Sequence, residues 1–127
     1  MTRREVHVDS RPVLAHSADA VVADGLLFVA GILPVDGAGH LVGAGDVVAQ
    51  TRHVLGELVT ILAAGGCAVG DVVKVTLYLT DVADRPSINP VRQEVFGEAR
   101  PASTLVGVPA LAIPGARIEL DAVAAVP

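Results

Sequence analysis

Cysteine, lysine and aromatic side chains are almost missing from this chain of 127 residues: one Cys, one lysine, three aromatics and no Trp. A lone cysteine, Cys67, excludes an internal disulfide and fits a reducing compartment. With no basic residue close to it in sequence, it reads as a small buried residue after a helix rather than as a reactive thiol. Holding a polyphosphate backbone wants clustered Lys/Arg and stacking rings, and a net charge of −5 points away from nucleic acid. Long hydrophobic runs are also lacking. Gly25 to Val35 and Ala102 to Ala116 are uncharged but shorter than about 18 residues and broken by Gly and Pro, so no membrane partner is expected. The opening MTRREVHVD is followed by no apolar segment of the secretory kind, and a cytoplasmic protein is expected. There is no glycine-rich phosphate loop, no Gly-x-Ser-x-Gly elbow and no zinc-type Cys/His spacing. His16 and Asp19 are close in sequence, but two ligands make no metal site; neither metal nor cofactor is expected.

What the chain has is apolar bulk. Hydrophobic residues make up 52%, mean hydropathy is +0.60, and 18% of residues are charged, below the roughly 25% of ordinary soluble domains. Residues 1–127 make one domain by length and bury about two thirds of the unfolded chain's surface. Part of the apolar excess is then expected to face another subunit.

The patterning sets out the elements. EVHV, Glu5 to Val8, alternates as a first strand. Val21-Val22, then Asp24-Gly25, then LLFVA make a hairpin with Gly31 ending its second strand, and the glycine-rich piece from Pro34 to Gly45 is a loop. Asp46 caps a helix whose apolar residues recur from Val47 to Leu62 until Gly65-Gly66 stops it; His53 and Glu57 lie off the stripe. Val72 to Leu79 alternates, with Val73, Val75, Leu77 and Leu79 on one face. A second helix is expected to start with Asn89 as cap and Pro90 in the first position. Two strands close the chain, Ser103 to Val108 and Ala116 to Ala122, the second with Ile118, Leu120 and Ala122 on one face and Arg117, Glu119 and Asp121 on the other. This order predicts an α+β sandwich: an antiparallel or mixed sheet with two helices on one face and the other face uncovered.

The stretch RPASTLVGVPALAIPGARIELDA, Arg100 to Ala122, resembles the C-terminal part of the RidA/YjgF family, the reactive intermediate deaminases. The resemblance continues in LLFVAGILP (Leu26 to Pro34), in AVGDVVKVTLYL (Ala68 to Leu79) with Asp81 behind it, and in Ile88-Asn89 followed by Val95-Phe96. It implies a chorismate-mutase-like fold that trimerises with a small-molecule cleft at each subunit interface, and hydrolysis of an enamine or imine to a carbonyl and ammonia. Carried over by position, Glu119 is the glutamate that positions or activates water. Leu105, Gly31 and Asn89 match cleft positions, and Thr104, His16 and Ser17 are placed to shape the cleft. The family's carboxylate-gripping arginine, directly after Pro-Ala, is Ser103 here. Arg100, on a continuing strand, would face away from Ser103, whereas Arg117 shares Glu119's face and is the better substitute, unless it is spent on a surface ion pair with Glu119 or Asp121, the more ordinary use of such a residue. The expected ligand is therefore a neutral or weakly polar imine or enamine other than 2-aminoacrylate, and the alternative is a non-catalytic ligand-binding or scaffold trimer.

Overall fold

The computed structural model describes residues 2–127. The chain runs β1 (Arg3–Val6), β2 (Ala20–Ala23), β3 (Leu26–Ile32), α1 (Val47–Ala64), β4 (Val72–Leu79), α2 (Arg85–Phe96), β5 (Ala102–Gly107) and β6 (Ile118–Ala125). All six strands form one sheet in the order β1-β2-β3-β6-β4-β5. Every pairing is antiparallel except β4 with β5, because α2 carries the chain back across the sheet before β5 begins. This is the α+β arrangement with a mixed sheet and two helices that the patterning predicts. The last two strands are not neighbours: β5 lies on the edge, and β6 inserts between β3 and β4.

Local chemistry explains the best-defined elements. Asp24 and Gly25 both have positive φ, 51° and 78°, as a two-residue hairpin loop requires. The Asp46 carboxylate accepts the Ala49 N–H at 3.0 Å and opens α1, satisfying one of the helix's orphan donors. α1 is long and apolar, but Val54, Leu55, Leu58, Ile61 and Leu62 are buried in the core with Leu27, Val29, Val75, Leu77, Leu79, Ile118 and Leu120. Burying each such side chain stabilises the fold by roughly 1.5–3 kcal/mol. α2 adds Ile88, Val91 and Phe96 to the same core.

Several details differ from the sequence reading, beginning with the last two strands, which are Ala102–Gly107 rather than Ser103 to Val108 and Ile118–Ala125 rather than Ala116 to Ala122. β1 begins and ends two residues early, because Val6 is its one buried residue and His7 and Val8 already belong to the following loop. β3 passes through Gly31 to Ile32 with an irregularity between Val29 and Ile32. A register shift between Val72 and Lys74 turns Val73 out of the core, 47% exposed. Finally, α2 starts at Arg85 rather than at Asn89. Pro86 occupies the first turn, where a missing N–H costs nothing, so Pro90 removes only the bond to the Pro86 carbonyl. Asn89 thus lies inside the helix and caps nothing.

The helices seal one face of the sheet. The other carries Phe28 and Val106, 46% and 39% exposed, beside Tyr78, Glu119 and Asp121.

Candidate functional site

β6 pairs Glu119 with Tyr78 and Asp121 with Thr76, which places both carboxylates on the uncovered face. Asp121 accepts the Tyr78 hydroxyl at 2.9 Å. Glu119 is half-buried and, among the described residues, has no hydrogen-bond or ion-pair partner. Burial first, and then the negative charge of Asp121, push its carboxyl above the ordinary range, the direction useful in an acid–base group at neutral pH. Its carboxylate lies against Gly31: a Cβ there would sit 3.1 Å from Glu119 Oε2, so glycine gives the acid its place beside the backbone. Gly31 in turn lines a recess of about 500 Å³ between the loop that follows β1, with Leu14, Ser17 and Asp19, and Ala112 and Ile113 of the β5–β6 connection. Ser17 lines this recess; His16 is exposed and does not.

Ser103 belongs to a different place. It pairs with Val75 and Leu105 with Leu77, so both point to the helix side, whereas Thr104 shares the face of Glu119 and accepts a hydrogen bond from Lys74 Nζ. The sheet therefore stands between Ser103 and Glu119 within one protomer. Ser103 is not alone: an Arg92 amino group on α2 donates to its Oγ at 2.7 Å. Arg92, Asn89, Phe96, Gly97, Arg100 and Pro101 line a second recess, of about 640 Å³, between α2 and the edge strand. Arg92, which the sequence analysis does not name, thus brings a guanidinium to Ser103. The face argument for Arg100 lapses, since β5 begins only at Ala102 and Arg100 lies in the preceding connection. Arg117, the favoured substitute, is held by Asp84 at 2.7 and 2.8 Å and does not pair with Glu119 or Asp121.

The endoribonuclease L-PSP family model, the RidA/YjgF group, matches residues 8–126. The chain belongs to the RidA/YjgF family. It is 44% identical over 113 residues to the 3-aminoacrylate deaminase RutC of Acinetobacter baylyi, covering 89% of each chain. Among solved structures, RidA from an Antarctic Psychrobacter superposes with a TM-score of 0.88 at 27% identity, covering 96% and 98% of the two chains. Escherichia coli TdcF with bound serine gives 0.87 at 28% identity, with the same coverage.

Within this RidA/YjgF chain, several polar residues have structural roles. The Arg11 side chain is 7% exposed and bridges Asp19 at 2.9 Å and Glu57 at 2.7 Å. Asp19 also accepts the Val8 N–H, and His53 bonds the Val35 carbonyl oxygen. The Arg11–Glu57 bridge fastens the recess loop to α1, and His53 ties the β3–α1 connection to the same helix. Asp19 is thus an ion-pair residue, and His53 is tied to backbone rather than solvated. Gln50, fully buried, bonds the Gly43 and Gly115 carbonyls and the Arg117 N–H, fixing the chain just before Glu119. Cys67 is buried, and burial raises its thiol pKa, as an inert core thiol requires. The Arg92 contact had one sequence signal: Asn89 and Arg92 are three residues apart and share a helix face.

Proposed function

We propose that this protein is an enamine/imine deaminase working in clefts between the subunits of a homotrimer, with Glu119 as its acid–base group. The observation that carries this reading is the half-buried, unpaired carboxylate set against Gly31, a residue that lines a recess. Water would bond to the imine carbon while Glu119 takes its proton. The acid form returns that proton to nitrogen, giving a carbinolamine; Glu119 then carries the remaining hydroxyl proton to the amine as the C=O bond forms and the C–N bond breaks, and a carbonyl compound and ammonia leave. Assembly is supported by the exposed Phe28 and Val106 on the uncovered sheet face. The 3-aminoacrylate deaminase among the relatives suggests that substrate as the first to try. The scarcity of basic and aromatic residues speaks against an RNA substrate.

The test is ammonia release from freshly generated 3-aminoacrylate. Wild type is expected to exceed the uncatalysed rate, and Glu119→Gln to lose at least about 100-fold with its assembly unchanged in ultracentrifugation. Full activity in the variant, or a wild type that stays monomeric at working concentration, refutes the reading.

A further inference from the structure

Arginines in this protein find carboxylates wherever they are partly covered: Arg11 with Asp19 and Glu57, and Arg117 with Asp84. Arg92 breaks that pattern. It is half-buried, yet among the described residues no carboxylate lies within ion-pair distance of it. One hydrogen bond reaches the Ser103 hydroxyl, and Nε is buried without a partner. Burial, and then the like charge of Arg85, lower its pKa, while Arg100 adds another cation to the walls of the same recess. A covered guanidinium with unused donors and cationic neighbours is an incomplete ion pair. Its planar fork suits a carboxylate, which accepts two parallel N–H bonds.

We propose that Arg92, steadied by Ser103 and flanked by Asn89 and Arg100, is the anion-binding residue of the cleft and selects substrates that carry a carboxylate. The proposal rests on the deaminase reading above and narrows it to acidic enamines and imines, against the neutral ligand expected from sequence. Ser103 then anchors the guanidinium: its short side chain leaves room for the arginine arriving from α2. Arg92 is a binding residue, whereas Ser103 acts through it.

Binding separates this idea from turnover. Pyruvate, its neutral amide pyruvamide and inorganic phosphate are titrated calorimetrically into the full-length protein and into Glu119→Gln. Pyruvate is expected to bind at least about tenfold more tightly than pyruvamide, in both proteins. Arg92→Gln and Arg92→Met should abolish that preference while melting near the wild-type temperature, since neither loses an ion pair. The idea is overturned if pyruvate and pyruvamide bind wild type equally, if both Arg92 variants keep the preference, or if phosphate binds more tightly than pyruvate. A protein that holds pyruvate through Arg92 but releases no ammonia supports the anion site and refutes only the deaminase reading.

Discussion

Replacing Gln50 with leucine should destabilise this protein far more than its polar character suggests. The side chain is fully buried. Its amide donates to Gly115 O at 3.0 Å and, less closely, to Gly43 O at 3.3 Å, while its oxygen accepts the Arg117 N–H at 2.8 Å. Leucine keeps the volume and removes all three bonds, leaving at least the Gly115 carbonyl and the Arg117 amide unpaired beside Ala116, which is 4% exposed. An orphaned buried polar group costs about 1–3 kcal/mol, and the added apolar burial returns about 1 kcal/mol, for a net loss of about 3 kcal/mol. An unfolding entropy of about 2.1 cal/mol/K per residue then translates this into a fall of roughly 11 °C in Tm. Calorimetry and urea unfolding at one fixed protein concentration measure it, with the urea slope unchanged. The Arg117 amide should also lose its protection in hydrogen exchange. A loss below about 1 kcal/mol would mean that water replaces Gln50 at no cost, and would refute the assignment of this residue as the pin beneath β6.

The raised pKa of Glu119 has a stability signature. Below its ordinary value of 4.5 the group is protonated in both folded and unfolded chains, and no penalty arises. As pH climbs through the higher folded value, ionisation disfavours the fold. Glu119→Gln should therefore melt above wild type at pH 7, by less than about 1 kcal/mol given the group's partial exposure, with the gap closing near pH 4; an equal gap at both values refutes this. Arg11→Met should cost about 3 kcal/mol by leaving Asp19 and Glu57 covered without their cation. It should also speed proteolysis between residues 8 and 19, and an unchanged urea midpoint would count against a structural role for the ion pairs.

Much of the fold was legible because periodicity and punctuation are local. The Asp24-Gly25 turn, the Asp46 cap, the stop at Gly65 and the alternation of β6 each depend on a few adjacent residues, and each stands where the pattern puts it. The start of α2 was missed because two prolines compete for the first turn, and packing of Ile88 and Val91 against the core favours the earlier one. Glu119 and Gly31 were found through resemblance, and the fold brings them into contact. Arg92 is not legible in the sequence because nothing beside Ser103 in its strand marks a partner on a helix. The side chain that arrives comes from a helix eleven positions away.

Sequence by itself determined the family, the α+β class, the inward face of the last strand and the acid on it, since side-chain alternation and turn chemistry are properties of short stretches. Only the tertiary structure decided which cation meets Ser103, that Arg117 is spent on Asp84, and that Ser103 and Glu119 lie on opposite sides of the sheet. Those outcomes depend on where helix and strands come to rest against one another, and a long, flexible guanidinium takes whichever partner packing brings within about 3 Å.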